Sequence, residues 1–569
     1  MAQVIAAPKG KRWIGLSADE NLTQRLARDL NIHPLVARVM VARGWTDSED
    51  AASFLQLDRS ALANPLEMHD MAVAVARIHK AVAEKERVLI YGDYDVDGTC
   101  ATAIMVKTLR RLGLDPEWFV PSRFRHGYGL HPHVVEQVHT EGVSLIITVD
   151  TGITGYQALA RARELQLDVV ITDHHQMSEM PDATAVVHPD HPQGRYPFPH
   201  LCGAGVAFQL ARAVLGGFPE DLVELAAVAT LADQVPLLGE NRALVREGLT
   251  HLRQTPGLAM ASLLRVSGIV PARVDETALA YSVAPRMNAV GRLEDAHLVV
   301  ELLLAEDPNA AGLLAHRVNS YNQRRQNLQA VVEQDALAQI TQHPEWLLQP
   351  GLVVSGQDWH EGVIGIVAGK LASRFHRPTL CIGVQGGVAK GSGRSITNFD
   401  LYQVLAEVQQ KNEIFTAFGG HQAAVGFSLA TADLEVLQTQ FLLATSRRLY
   451  GADELSQRNC DAPLRLEEVS PELLHDLQKL APFGQGNAQP AWFVREAVVT
   501  DVHTMGKANQ HLKAWVKTGE SPVHPLVAFG YGENLAAFSP GSRRHLVVAL
   551  EENDWQGKVS LQLRLLDWK

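Results

Sequence analysis

The feature that most constrains this chain is where its acidic residues fall relative to its apolar runs. Three short β-rich runs end directly on carboxylates. VLIY (88–91) is followed by Gly92-Asp93-Tyr94-Asp95-Val96-Asp97-Gly98, LIITV (145–149) by Asp150-Thr151-Gly152, and VVIT (169–172) by Asp173-His174-His175. None of the runs alternates strictly between apolar and polar, which suits strands buried on both faces. Helical patterns separate them, from about Thr99 to Leu112 and over 156–166, and EWFV (117–120) and AVV (185–187) read as further strands. This alternation predicts an α/β fold with a parallel sheet covered by helices. Ligands of such sheets bind beyond the carboxyl ends of the strands, so the three acidic clusters should converge on one crevice. A fourth acidic position, Asp233, ends the apolar helical run LAAVATLADQVP (225–236).

Four or more carboxylates gathered together repel one another, and they stay ionised only if cations sit among them. Hard oxygen ligands with one or two imidazoles suit Mn²⁺ or Mg²⁺. Two such ions about 3.5–4 Å apart are the usual device for phosphoester hydrolysis. Each cluster alone has a plainer reading: a solvated turn for D-x-D-x-D, a helix N-cap for Asp150, surface imidazoles for His-His. An EF-hand is excluded, because no acid stands six positions after Gly98, where a bidentate Glu belongs. What favours the metal reading is the conjunction, each cluster falling at a strand end and in order.

Composition narrows the remaining classes. With 51 basic and 63 acidic residues the net charge is −12, so any nucleic-acid surface must be a local basic groove. The four cysteines, Cys100, Cys202, Cys381 and Cys460, lie far apart and form no C-x-x-C pair, which leaves buried apolar side chains as the expectation. No run approaches the roughly 18 apolar residues of a membrane span, and the N-terminus lacks a signal-peptide core. A soluble, cytoplasmic protein is expected.

Elsewhere the chain changes character several times. Residues 1–68 read as short helices, with Thr46-Asp-Ser-Glu49 fitting a capping box. The α/β region, 69–300, continues through helices from about Asp221 to Ser282 and ends near a Pro/Gly-punctuated APRMNAVGRLEDA (284–296). Within 301–345, residues 308–342 read as one long linking helix, which at 1.5 Å per residue reaches roughly 50 Å. Region 346–450 alternates again as a smaller α/β domain, with helices through 362–374 and near 400–410. Region 451–569 turns to period-two stretches such as HLKAWVKT and VSLQLRLLDW, as in a small antiparallel barrel.

The motifs DVDG, VDTG, DHH and LADQVP resemble the four motifs of the DHH phosphoesterases. RFRHGYGL (123–130), CGAGVAFQL (202–210), APRMNAVGRL (284–293), WHEGVIGIVAGKL (359–371), KGSGRS (390–395) and FGGHQAAVGFSL (418–429) are similar to the single-stranded-DNA exonuclease branch of that family. The resemblance implies a 5′-to-3′ exonuclease that uses two Mn²⁺ or Mg²⁺ ions and releases 5′-mononucleotides. It further implies that Asp97, Asp150, His174 and Asp233 hold one ion. Asp95 and Asp150 would hold the second, with Asp93 the less certain ligand and Asp150 the bridge. His175 would orient or protonate a phosphate oxygen, and Asp173 would fix an imidazole tautomer. Tyr91 stands where other branches carry His, which leaves the second site one imidazole poorer.

The expected substrate contacts are Gly419, Gly420, His421, Ser392, Arg394 and Ser395, with Arg123 as a clasp for a 5′-phosphate and Arg286 and Asn288 as further candidates. A salt bridge or loop hydrogen bond is an equally good chemical reading of Arg123, Arg286 and Asn288. In the barrel, which resembles an oligonucleotide-binding fold, Lys507, His511, Lys513, Trp515, Arg543 and Arg544 suit single strands. The implied partners are single-stranded DNA, a single-stranded-DNA-binding protein and a helicase; no second copy is required. The alternatives are a relative acting on short oligoribonucleotides or cyclic dinucleotides, or an inactive single-strand-binding scaffold.

Overall fold

The computed structural model describes residues 12–449, 457–506, 508–555 and 558–569. The chain forms two compact units, each assembled from separate stretches: one from Ala18–Asn322 with Val469–Pro490, the other from Gln323–Glu468 and Ala491–Lys569 with the described residues up to Ser17.

A short strand, β1 (Arg12–Gly15), belongs to the second unit. The first unit is built on β2 (Val88–Tyr91), β3 (Glu117–Phe119), β4 (Leu145–Val149), β5 (Asp168–Thr172) and β6 (Ala185–Val187). They form one parallel sheet in the order β3-β2-β4-β5-β6. The chain leaves β2 towards β3 on one side and resumes with β4 on the other, so the switch in strand order lies between β2 and β4. That is where open parallel sheets bind ligands. Alternate strand residues enter different cores: Val88, Ile90, Ile147 and Val170 pack on one face, Leu89, Tyr91, Ile146 and Val169 on the other. Both faces are apolar, which is why these runs show no polar alternation.

Three local expectations need correction. The capping box does not form: Asp47, not Thr46, caps the helix Ser48–Leu55, its carboxylate accepting from Glu49 and Asp50 amides at 2.8 and 3.1 Å. A shorter acid reaching the first free amides does the work of a Thr–Glu pair. The helix expected from about Thr99 begins at Val96 and runs to Arg111, because Asp95 caps it. The punctuated run at 284–293 is itself helical, Ala284–Leu293; it continues without a break from the π-helical turn Leu279–Val283, so Pro285 follows a local irregularity of the kind that accompanies a helical proline. Residues Pro308–Gln342 form one continuous helix.

The second unit carries β7 (Leu352–Gln357), β8 (Thr379–Gln385), β9 (Val388–Arg394), β10 (Phe415–His421) and β11 (Ala424–Ala430) in the order β10-β11-β9-β8-β7, with only β7 and β8 parallel. β12 (Gln457–Cys460) pairs in parallel with β1. The last strands are β13 (Ala462–Pro463), β14 (Trp492–Met505), β15 (His511–Lys517), β16 (His524–Ala528), β17 (Arg543–Trp555) and β18 (Lys558–Trp568). β14 pairs with both β15 and β17, which closes β14-β15-β16-β18-β17 into a barrel. All four cysteines are buried and free. Among the described residues no helix is long and apolar enough to cross a membrane.

Candidate metal centre

Four chain segments meet at the carboxyl ends of β2, β4 and β5. After β2, Asp95 caps the helix Val96–Arg111 with its Oδ1 on the Gly98 amide at 3.1 Å, and Asp97 stands in the first turn. The loop closes tightly enough that a Cβ on Gly98 would lie 2.6 Å from the Asp93 backbone. Both Asp97 oxygens accept backbone amides, from Gly203 and Ala204, each at 2.7 Å. These amides open the helix Gly203–Leu215, so its N-terminus faces the Asp97 carboxyl group. A Cβ on Gly203 would lie 2.4 Å from Asp150 Oδ1, which makes glycine obligatory at that contact. Asp150 follows β4 with φ +61°. It caps no helix, since the next one starts at Tyr156 behind Gly155.

His174 supplies the focus. Its Nε2 lies 3.2 Å from Asp150 Oδ1, 3.6 Å from Asp97 Oδ2 and 3.8 Å from Asp233 Oδ2. A second group is formed by Asp93, Asp95 and Asp150, whose ligand oxygens all lie within 4.8 Å of one another. Asp150 joins both groups. Asp93 Oδ1, Asp150 Oδ1 and His174 Nε2 are buried with no hydrogen-bond partner, a costly arrangement unless a ligand satisfies them.

The electrostatics agree. Burial, and then the Asp95 charge, push the Asp93 carboxyl well above its ordinary range. Burial and the Asp97 charge raise Asp95 as well, and burial with Asp97, Asp95 and Asp93 pushes Asp150 well above that range. Asp233 is pushed up to about 8 by desolvation and the Asp97 and Asp95 charges. Burial holds His174 below its usual value, against the pull of Asp97, leaving a neutral imidazole suited to ligation. Oxygen ligands with a single imidazole fit Mn²⁺ or Mg²⁺.

His175 differs. Its Nδ1 is 2.7 Å from Asp173 Oδ1 and 3.0 Å from the Tyr128 hydroxyl. Burial would lower its pKa, but the Asp173 bond and charge, with Asp97 and Asp233, raise it to about 9. Fully buried Asp173 also accepts amides from Ile153, His174 and His175, and these bonds outweigh its burial and keep it ionised.

Around this centre, the Tyr91 hydroxyl donates to Gly129 O at 2.8 Å. The Arg123 guanidinium lies 4.3 Å over the Tyr94 ring. Arg286 is engaged by Ser282 O at 2.6 Å and Asn319 Oδ1 at 3.0 Å, and Asn288 Oδ1 accepts the Val96 amide at 3.3 Å, so both take internal partners. Sequence reasoning missed two features of the site. The Gly203 and Ala204 amides had a signal, small residues opening a helix in CGAGVAF. Tyr128 had one in its flanking glycines, both at positive φ.

In the second unit, Lys390–Arg394 of KGSGRS lies on β9 and GGH on β10. Gly419 pairs with Gly426 and Gly426 with Ser392, while His421 pairs with Ala424 and Ala424 with Arg394. The two-residue period therefore puts Ser392, Arg394, Gly419 and His421 on one face of the sheet. Gly420 alternates to the other face, and Ser395 turns its hydroxyl to Phe399 O at 2.6 Å. Arg394 Nη1 reaches Ser392 Oγ at 2.9 Å. Above Gly419 and Gly426 a Cβ would meet nothing within 4 Å, so the backbone there is open.

On the barrel, His503 lies 5.2 Å and Lys513 Nζ 5.5 Å from the Trp515 ring, and His511 meets the exposed Phe529 at 5.3 Å. Arg543 is exposed, whereas Arg544 lies 5.4 Å from the Trp568 ring. Lys507 lies outside the described residues.

A parallel sheet whose strand ends gather this carboxylate–imidazole cluster defines a metal-dependent phosphoesterase domain, and residues 87–231 match the sequence model of the "DHH family, N-terminal domain". Residues 349–445 match the "DHHA1 domain" and 460–567 the "RecJ OB domain". The chain is 38% identical over 559 residues to the single-stranded-DNA-specific exonuclease RecJ of Bacillus subtilis, covering 98% of this chain and 70% of that one. It is 32% identical to RecJ of Salmonella typhimurium, covering 97% of each. The chain belongs to the RecJ family. The crystal structure of RecJ from Thermus thermophilus in complex with Mn²⁺ superposes with a TM-score of 0.82 at 27% identity, covering 98% of this chain and 79% of that one. A structure of exonuclease RecJ bound to manganese matches at 32% identity and TM-score 0.59, covering 68% and 96%.

Proposed function

We propose that this protein hydrolyses single-stranded DNA from its 5′ end with two divalent ions, releasing 5′-mononucleotides, in DNA repair and recombination. The observation that carries the reading is the pair of donor groups sharing Asp150, one centred on His174 Nε2 and one on the Asp93 and Asp95 oxygens. Asp97, Asp150, His174 and Asp233 would hold one ion, and Asp93, Asp95 and Asp150 the other. Bound there, Mn²⁺ or Mg²⁺ supplies a hydroxide at neutral pH and neutralises charge on the phosphoryl oxygens.

The chain's own groups do the rest. Backbone amides hold both Asp97 oxygens in place, so the better-surrounded ligand set is preorganised. His175, kept cationic by Asp173, offers a proton or hydrogen bond to a phosphate oxygen. Arg123, facing the Asp93 and Asp95 segment, is placed to clasp a terminal phosphate. The open glycine face of β10 and β11, flanked by Ser392, Arg394 and His421, suits backbone phosphates. Ser395 and Gly420 would serve by setting the strand around it. Trp515, Lys513, His511 and Arg543 give the barrel a stacking and cationic surface for further nucleotides. Under this reading a single-stranded-DNA-binding protein and a helicase supply the substrate, one chain suffices, and the work is done in the cytoplasm.

Single-stranded DNA labelled separately at each end, incubated with Mn²⁺, Mg²⁺ or chelator, tests this. Expected is immediate metal-dependent release of mononucleotide from the 5′ label while the 3′-labelled strand shortens gradually. DNA that is bound but intact with every ion would replace the reading with a binding scaffold. Cleavage confined to short oligonucleotides would replace it with a small-substrate phosphodiesterase.

A further inference from the structure

Asn288 and Gly291 sit on the helix Ala284–Leu293, and both press on the backbone between the three acids after β2. Val96 is the first residue of its helix, so its amide has no partner within that helix. Asp95, the cap, spends Oδ1 on Gly98 instead. The Val96 amide is taken by Asn288 Oδ1 at 3.3 Å. One turn along the same helix face, Gly291 comes so close to the loop that a Cβ would lie 2.4 Å from Tyr94 O. The segment between Asp93 and Asp97 is thus fixed at two consecutive linkages from behind, while Arg123 lies over the Tyr94 ring on another side. The bracing helix is itself tied down, because Arg286 links Ser282 O to Asn319 on the long helix Pro308–Gln342.

We infer that Asn288 is a positioning residue for the second ion: by holding the Val96 amide and letting Gly291 abut Tyr94 O, this helix sets the spacing of Asp93 and Asp95. The two donor groups depend on it unequally. The His174 group draws on Asp97, pinned by Gly203 and Ala204, and on Asp150, His174 and Asp233 from other segments. The Asp93–Asp95–Asp150 group takes two of its three carboxylates from the braced loop. Loosening the brace should therefore weaken one ion and spare the other. This rests on the two-ion reading above, and it makes Asn288 a support for the ligands rather than a contact to DNA.

Mn²⁺ binding to the full-length protein, followed by the paramagnetic resonance of free Mn²⁺, separates the cases. The unaltered protein should show two classes of site. Asn288→Ala should keep the tighter class and weaken the other ~10-fold or more, the scale of lost outer support. Its kcat should fall at low Mn²⁺ and recover at high Mn²⁺, with KM for single-stranded DNA unchanged. Asn288→Asp, which keeps an acceptor oxygen for Val96, should retain both classes. Gly291→Ala should repeat the Asn288→Ala pattern, and it decides the matter if the first variant does not fold. Both classes unchanged in these variants, equal loss of both classes, or a raised KM with ion binding intact would each overturn the inference alone. A single class in the unaltered protein would sink the two-ion reading and this inference with it.

Discussion

The acidic pocket of the first unit and the glycine face of the second show opposite ways of preparing a protein for a polyanion. In the pocket, five carboxylates are crowded until burial and mutual repulsion push Asp93, Asp95, Asp150 and Asp233 upward. Each orphaned oxygen there asks for a cation. On the strand face Gly419 and Gly426 leave bare backbone, and the exposed His421 offers a donor. That surface asks for an anion. One region stores electrostatic tension that an ion relieves; the other stores none and recognises by shape and donor geometry. The first should therefore be sensitive to single atoms, and the second to bulk.

Three changes bear on this contrast, in descending order of expected effect. Asp97→Ala removes a ligand whose two oxygens are individually anchored. Hydrolysis should fall by more than the ~100-fold upper range of outer-sphere losses, with DNA binding retained in a filter or anisotropy assay. Unaltered turnover would break the assignment of the pocket. Asp173→Asn should cost ~10–100-fold, because it leaves the ligand set intact but strips His175 of its charged partner. In its pH profile the limb near 9, above which His175 loses its proton, should move towards the ordinary histidine range. Gly419→Val places bulk where a Cβ meets no neighbour, so melting temperature should hold while KM for single-stranded DNA rises about tenfold, or about 1.4 kcal/mol. An unchanged KM would remove that face from the reading.

A fourth change acts on stability rather than on the reaction and lies away from both regions. Buried Glu224 accepts the Gly257 amide at 3.1 Å, and burial raises it to about 7 from 4.5. The unfolded chain gives up this proton first, so between pH 4.5 and 7 the folded state holds one proton more and stability falls as pH rises. The loss is complete above pH 7 and amounts to about 3 kcal/mol. Glu224→Gln should flatten that slope in denaturant titrations without altering Mn²⁺ binding. A slope that survives the substitution would assign it elsewhere.

Much of the pocket was legible because its signal is local. An apolar run that stops on Asp can be read along the chain, and a parallel sheet puts such stops at one edge by geometry alone. The registry of GSGRS with GGH was not legible. The two runs are separated by more than twenty residues, and only the pairing of β9 with β11 and β11 with β10 brings Ser392 and Gly419 onto one face. The choice between a DNA contact and a loop hydrogen bond for Asn288 stayed open for the same reason. Its motif marked it as important, but a motif does not say whether an amide oxygen meets solvent or the Val96 N–H nearly two hundred residues earlier.

The sequence by itself determined the α/β class, the strand ends on which the acids stand, the preference for hard divalent ions and the family resemblance. Each follows from residue type and short-range order, where period and charge act directly. Tertiary structure alone decided that Asp97 takes its amides from Gly203 and Ala204, that Asp173 bonds His175, and that the Asn288 oxygen meets the Val96 amide. These are matters of a few tenths of an ångström between segments distant in sequence, and only the packed chain fixes them.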